Sequence, residues 1–255
     1  MKVLITGATG LVGREIGKKI ANLGHQVFVV SRNAEKAKLD CPFPCEVIEG
    51  SLDQNLISDP RFKSIEAVIH LAGESVAESR WSDEKKKRIH DSRSLGTKHL
   101  IESLSGASLK VFLSTSASGY YGDRKNEILD ESSLAADDFL AAVCKDWESP
   151  IFDLQKSKQF PDCRFAIFRV GVVLSAFGGA MLKMIPPFRR GVGGAVGTGQ
   201  QWMSWIHLQD LAEAYVQALT DSKFVGVINA VSPEPLQNKD FSEKLAKALG
   251  SSLAV

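Results

Sequence analysis

The amino-terminal stretch Lys2 to Gly13, K-V-L-I-T-G-A-T-G-L-V-G, constrains this chain more than any other. Val3-Leu4-Ile5 is an apolar run long enough for a buried strand. Gly7, Gly10 and Gly13 recur at three-residue spacing, and Val12, Ile16, Ile20 and Leu23 then form an apolar stripe at helical spacing. Strand, glycine turn and helix in direct succession make an anion cradle. The glycines permit a tight turn and a close backbone approach. The helix N-terminus offers free N–H groups and a partial positive charge to a pyrophosphate. A glycine triplet alone is an ordinary turn; between a buried strand and an amphipathic helix it points to a phosphate-bearing cofactor.

The alternation continues. Gln26 to Val30 is a second strand, and the helix before it ends near Gly24. Ser31 and Arg32 follow, where an NAD site would place an Asp or Glu on the ribose hydroxyls. An acid would repel a 2′-phosphate, whereas a hydroxyl and a guanidinium attract one, so these residues favour NADP(H). Lys36 and Lys38 either add to that field or are solvated. Glu46 to Glu49 is a third strand, and Asp53 in the turn after it either bonds an adenine or is a plain turn aspartate. Ala67 to Leu71 is a fourth strand that ends in the small pair Ala72-Gly73. His70 within it reads as a hydrogen-bonded core histidine. Ser82, with Asp83 and Glu84 in the first turn, starts a helix that runs to about Leu104. Arg88 and Arg93 on it are either surface charges or contacts to a cofactor or anionic substrate.

Val111 to Leu113 is a fifth strand, and the residues from Ser114 to Asp123 place hydroxyls and two phenols, Tyr120 and Tyr121, at its end. In an open parallel sheet the carboxyl ends of strands line the binding crevice, so the reacting centre is expected here. Phe139, Val143, Trp147, Ile151 and Leu154 form a further helical stripe, and Arg164 to Val170 is a sixth strand. Alternating elements of this kind imply a parallel sheet with helices on both faces.

From 171 to 205 the chain turns glycine-rich, which reads as a long binding segment forming a wall of a substrate pocket. Pro186-Pro187 is expected to break any helix there. Gln200, Gln201, Trp202 and Trp205 either contact a ligand or serve packing and turns. A helix is expected from Ile206 to about Leu219, a last strand at Val225 to Val231, and a short helix at Phe241 to Leu249 capped by Gly250.

A net charge of +1 without an isolated basic block argues against nucleic-acid binding by bulk electrostatics. No apolar run approaches the about 18 residues of a membrane span. The chain enters a strand at once, leaving no room for a signal or transit peptide. Cys41, Cys45, Cys144 and Cys163 complete no zinc set and read as free thiols in a reducing cytoplasm, with no metal site expected. The expected partner is a small-molecule substrate, and the chain a monomer or homodimer.

Together these residues resemble the extended short-chain dehydrogenase/reductase superfamily, and more closely its atypical branch called epimerase family protein, some bacterial members of which are labelled cell division inhibitor. The resemblance spans essentially the whole chain. It rests on G-A-T-G-L-V-G at 7–13, V-S-R at 30–32, H-L-A-G-E-S at 70–75, R-W at 80–81, D-S-R at 91–93, S-A-S-G-Y-Y-G-D at 116–123 and W-E at 147–148. The later stretches are P-P-F at 186–188, G-x-G-Q-Q-W at 197–202, S-W-I-H at 204–207 and N-A-V-S-P-E-P at 229–235.

It implies an α/β fold, a Rossmann-type doubly wound parallel sheet with a small carboxyl-side substrate region. Residues 1–170, joined by the return of 206–231, would bind the dinucleotide. Residues 171–205 and 232–255 would bind substrate. Members of the branch continue past the helix at 241–249, which implies a substrate region incomplete at its carboxyl end. Carried over by position, Gly7, Thr9, Gly10, Leu11, Val12 and Gly13 meet the phosphates and Ser31 and Arg32 the 2′-phosphate of NADP(H). Leu71, Ala72 and Gly73 run beside the ribose, Arg88, Arg93 and Ser114 face the cofactor, and Val170 lies near the nicotinamide. Glu74, Gln200, Trp202 and Trp205 are the substrate candidates.

The superfamily's catalytic Tyr-x-x-x-Lys pair is missing. If Glu148 is aligned with the family's helix glutamate, Leu140 and Cys144 hold the two positions. If Lys145 is taken as the lysine, Ala141 replaces the tyrosine. Ser116 matches the active-site serine, and Tyr121 or Tyr120 is the candidate substitute acid. The implied function is an NADP(H)-dependent oxidoreductase or nucleotide-sugar epimerase-like enzyme; the alternative is a catalytically silent NADP(H)-binding sensor.

Overall fold

The computed structural model describes residues 1–157, 159–251 and 253. Strand β1 (Lys2–Thr6) is nearly all apolar and buried on both faces, as a central parallel strand must be. Helix α1 (Leu11–Asn22) follows the glycine turn and buries Ile16 and Ile20. Leu23, the last member of the apolar stripe, is its exposed C-cap, because Gly24 turns the chain back at φ +79° one residue later. Then come β2 (Gln26–Ser31), α2 (Ala34–Asp40), β3 (Glu46–Glu49), a short 3₁₀ turn at Pro60–Ser64 and β4 (Ala67–His70). Helix α3 (Asp83–Ser103) is capped by Ser82, whose side chain accepts from the Lys85 N–H at 3.2 Å. β5 (Val111–Ala117) runs longer than its apolar core suggests: Ser114, Thr115 and Ser116 are strand residues, not a turn, because each finds a pairing partner on β6 (Arg164–Val170). Between them lie a 3₁₀ turn at Ser118–Tyr121 and α4 (Phe139–Lys156).

Seven strands form one wholly parallel sheet among the described residues, in the order β10-β6-β5-β4-β1-β2-β3, with β10 (Gly226–Ala230) on the edge beside β6. The order reverses direction at β1, which pairs with β2 on one side and β4 on the other. One face of the sheet packs Val3, Ile5, Val29, Ile69, Leu113 and Phe168 against α1 and α6 (Leu208–Ala218); the other packs Leu4, Phe28, Val68, Phe112 and Ile167 against α3 and α4. This alternation places residues of opposite parity on opposite faces.

The glycine-rich segment is more regular than its sequence suggests. It contains β7 (Val172–Leu174), α5 (Ala180–Arg189) and β8 (Trp202–Met203), and leads into β9 (Trp205–His207). β7 pairs with β9, and β8 with β11 (Leu236–Gln237). The expected start of α6 at Ile206 is therefore displaced to Leu208, since Ile206 and His207 pair in β9. Pro186 and Pro187 do not break a helix; they lie inside α5. Each removes a hydrogen bond to the carbonyl four residues back, on Leu182 and Lys183, and both of those residues are exposed, so water can satisfy them. What holds the helix is packing: Phe188, Met184 and Ile185 cluster with Phe241 and Leu245 of α7 (Asn238–Leu249). α7 begins three residues earlier than expected and ends at Gly250 in the left-handed conformation.

Candidate functional site

The turn between β1 and α1 leaves no room for side chains. A Cβ on Gly13 would lie 2.3 Å from the Gly7 carbonyl oxygen, and one on Gly7, at φ +71°, would lie 2.9 Å from the Leu71 carbonyl carbon. Gly10 caps α1 with no side-chain hydrogen bond, and the first turn holds no acid, so its N–H groups face outward free of a protein acceptor side chain. Leu11, Val12, Gly13, Leu71, Val172, Val173, Gly179 and Ala180 line a hollow of about 430 Å³ beside this turn. These features fit a pyrophosphate at a helix N-terminus.

A second hollow of about 340 Å³ continues from it over the ends of β2, β3 and β4. It is lined by Thr9, Ser31, Arg32, Asp53, Ala72, Gly73, Glu74 and Ser92, among others. Ser31 donates to the Asn33 carbonyl at 3.1 Å, and Arg32 is exposed. Glu74 lies here, on the groove of Ser31 and Arg32, and not beside Gln200 and the tryptophans. The buried Lys85 ammonium reaches its carboxylate at 2.7 Å, and Arg88 stands 3.7 Å away. The hydrogen bond from Lys85 holds the Glu74 carboxyl below the ordinary range against the effect of burial, with Arg88 and Arg32 adding to it. Arg88 itself is half exposed and pairs with Glu84 at 2.7 Å.

His70 is fully buried and its bonds define its state. The Leu71 and Ala72 N–H groups donate to Thr6 Oγ1, each at 3.2 Å. That hydroxyl's proton therefore goes to His70 Nδ1, 2.7 Å away. Nε2 then carries the ring proton and donates to Thr97 Oγ1 at 3.0 Å, and Thr97 donates to the Arg93 carbonyl at 2.5 Å. Burial, and secondarily Arg93, push the His70 pKa down to about 4, so the ring is neutral. His70 ties the loop at 71–72 to α3 and is a core histidine.

At the far end of the sheet, Ser116 and Arg169 are register partners on β5 and β6 and meet Glu148 of α4. Arg169 grips Glu148 through two bonds of 2.9 and 2.8 Å, and Ser116 donates to the same carboxylate at 2.6 Å. All three are buried. Arg169 also donates to the Tyr121 hydroxyl at 2.9 Å, which donates onward to Asn229 Oδ1 at 2.7 Å. Burial raises the Tyr121 pKa, and the hydrogen bond and charge of Arg169 only partly offset it. Tyr120 lays its ring on the Arg169 guanidinium, 3.4 Å from ring centre to Cζ. Ser114 is buried beneath this cluster, and Val170 packs against the core on the opposite face. Cys144 lies against the Ala117 carbonyl at 3.8 Å, Leu140 packs near Gly119, and Lys145 points to solvent.

The remaining candidates are dispersed. Trp202 donates to Asn126 at 2.9 Å and Trp205 to the Glu234 carbonyl at 3.0 Å, while Gln201 bonds the Val196 carbonyl at 2.9 Å and Gln200 is exposed. A hollow of about 350 Å³ on the outer side of α4, lined by Tyr120, Lys145, Phe152 and Lys156, lies away from the glycine turn. Sequence reasoning missed Arg169, Asn229 and Lys85. One signal was available: Arg169 interrupts an otherwise apolar run in a central strand, where a charge requires a buried partner.

A wholly parallel sheet in this order, with a glycine-lined helix N-terminus at its switch point, defines a Rossmann-type nucleotide-binding protein. The chain belongs to the NAD dependent epimerase/dehydratase family, whose model matches residues 3–145. It is 37% identical to the chloroplastic epimerase family protein SDR39U1 homolog of Arabidopsis thaliana, over 98% of this chain and 71% of that protein. The crystal structure of human epimerase family protein SDR39U1 with NADPH superposes with a TM-score of 0.82 at 31% identity, covering 99% of this chain and 81% of that one. UDP-glucuronic acid 4-epimerase from Bacillus cereus, solved with UDP-glucuronic acid and NAD, reaches a TM-score of 0.82 at 20% identity, over all of this chain and 85% of that one, a likeness of fold. No helix among the described residues is long and apolar enough to cross a membrane.

Proposed function

We propose that this chain is an NADP(H)-dependent oxidoreductase or epimerase-like enzyme acting on a small polar substrate, a nucleotide sugar being the leading class. The observation that carries this reading is the continuous groove, with Ser31 and Arg32 at one end and the glycine turn in its middle. Gly7, Gly10, Leu11, Val12 and Gly13 would hold the pyrophosphate, Ser31 and Arg32 the 2′-phosphate, and Leu71 to Gly73 the intervening sugar. The NADPH in the human relative supports this choice of cofactor, and the UDP-sugar in the Bacillus epimerase supports the substrate class through fold alone. The bound dinucleotide would supply hydride chemistry; the chain would orient it and provide proton donors. Ser116 and Tyr121 are the candidates for that role, with Tyr120 beside them. The four free thiols fit a reducing compartment such as the cytoplasm.

One observation favours a second reading, a catalytically silent NADP(H) sensor. The Ser116 and Tyr121 hydroxyls are both spent on Glu148, Arg169 and Asn229, and among the described residues no lysine hydrogen-bonds to either. Fluorescence titration with NADPH and NADH, followed by a panel of aldehydes, quinones and nucleotide sugars, separates the two. Oxidation of NADPH by any carbonyl supports the enzyme; tight binding with no turnover across the panel supports the sensor. Arg32→Glu should weaken NADPH binding at least about tenfold while leaving NADH within about twofold. Equal losses for both would remove the 2′-phosphate assignment.

A further inference from the structure

The hollow that holds Ser31 and Arg32 has a charge balance that does not by itself favour a phosphate. Of its charged lining residues, Arg32 is positive, while Asp53 and Glu74 are negative, and the buried His70 ring is neutral. A 2′-phosphate would bring about two further negative charges to it. An acid beside the adenosine ribose is the device of an NAD site. Here one enters the same hollow from the loop after β4 instead of from the end of β2. Glu74 is also fixed in place by α3. Its N–H donates to Ser92 Oγ at 2.9 Å, and its carbonyl accepts at 3.0 Å from Arg93, whose guanidinium lies on the Trp147 ring.

The same helix supplies the counter-charge. Lys85 is 2% exposed, and its ammonium lies 2.7 Å from Glu74 Oε1, its one ion pair among the described residues. A buried lysine costs free energy unless a partner meets its charge, and the partner here is the acid in the hollow's wall. The Lys85 hydrogen bond is also the first cause that holds the Glu74 carboxyl below the ordinary range. Glu74 is therefore ionised, and its charge must be balanced because it is not lost to a proton. Arg88 stands 3.7 Å from the same oxygen and contributes less, since it is half exposed and also pairs with Glu84 at 2.7 Å.

We propose that Lys85 sets the cofactor preference: from behind the wall it neutralises Glu74, and so lets Arg32 decide the hollow in favour of the 2′-phosphate. The proposal rests on the cofactor reading above. Lys85 acts through Glu74 and not by contact with the ligand, so it is a positioning residue.

The test is the ratio of NADPH to NADH affinity, read by fluorescence titration of the full chain. Lys85→Met removes the charge and keeps an apolar stem. Glu74 then stays ionised, with a side chain 30% exposed and open to water. NADPH should weaken by about fivefold relative to NADH, the size of one unbalanced charge acting across a hydrated hollow. The double variant Lys85→Met/Glu74→Gln removes both charges and should return the ratio to within about twofold of wild type. Glu74→Gln alone would strand the buried ammonium, so the double variant takes its place. Thermal midpoints establish that each variant is folded. Equal weakening of both ligands by Lys85→Met assigns Lys85 a purely structural role and overturns the proposal. An unchanged ratio overturns it too, as does a shifted ratio that the double variant fails to restore. Arg32→Glu tests the cofactor reading separately: if it collapses the ratio and Lys85→Met does not, that reading stands and this proposal alone falls. A wild-type protein that binds neither ligand overturns the cofactor reading, and this proposal with it.

Discussion

His70 is the residue whose chemistry the surroundings determine most completely. Both lone pairs of Thr6 Oγ1 are taken by backbone N–H groups, so a second ring proton on His70 would face the Thr6 hydroxyl proton. The folded pKa is near 4, against an ordinary value of 6.5. The unfolded chain therefore binds a proton between those values that the folded chain refuses. Stability from this residue is full above pH 6.5 and is lost as the pH falls toward 4, by about 3 kcal/mol over the window. His70→Gln should flatten that part of the pH–stability curve, read by urea denaturation at several pH values from 7.5 to 4.5. Parallel curves for variant and wild type would mean that the ring titrates freely in the fold. The Glu148–Arg169 pair obeys a related logic. Removing one partner of such a buried pair typically costs about 3–5 kcal/mol, because the other charge is stranded. Any variant at Ser116 or Tyr121 disturbs the same cluster, so activity losses there must be compared with stability.

At the scale of elements, α3 and α4 are pinned on their outer side by His90. Its Nε2 lies 2.9 Å from Asp146 on α4 and its Nδ1 3.2 Å from Asp91. Burial disfavours the imidazolium, but the two carboxylates outweigh it and raise the pKa above 6.5. With the folded pKa raised, the bridge stabilises fully at pH below 6.5 and is lost as the pH rises through the elevated value. The ring is partly exposed, so the effect is a few tenths of a kcal/mol, and at most about 1. Asp146→Asn should remove this decline, measured as the change in thermal midpoint between pH 5.5 and 8.5. A variant that keeps the wild-type slope would show that the pair is not held in solution. Helix α5 shows a different balance. Two internal prolines cost about 3 kcal/mol or more each. The buried Phe188 and the half-buried Met184 and Ile185 pack against α7 and oppose that cost, so the helix is held by tertiary contacts and not by its own propensity.

For the whole molecule, the groove is an assembly of segments far apart in sequence: the turn at 7–13, the end of β4, and Val172 to Ala180. A dinucleotide bound there would bridge them. NADPH at about one hundred times its dissociation constant should stabilise the fold by about 2.7 kcal/mol. Amide hydrogen exchange should slow at Gly7–Gly13 and at Val172–Ala180 together. Protection confined to the first segment would show that the carboxyl-side segment takes no part in cofactor binding.

Much of this was legible in the chain itself. The boundaries of β3 and β6 fall where the apolar runs place them, Ser82 and Gly250 cap the helices as their types suggest, and the glycine triplet sits between the strand and helix that its neighbours announce. These are local features, because periodicity, capping and turn sterics act over a few residues. The helix through Pro186-Pro187, the strands within 171–205 and the continuation of β5 through Ser116 were not legible, since each depends on a partner that comes from elsewhere in the chain. The site divides in the same way. Backbone geometry at Gly7 and Gly13 is written in consecutive residues. The union of Ser116, Glu148, Arg169 and Asn229, and of Arg93 with Trp147, depends on which strands lie side by side and which helices cross them. Side-chain partnerships across a sheet carry no sequence periodicity; they arise only when long-range packing brings one charge or one open N–H within reach of another.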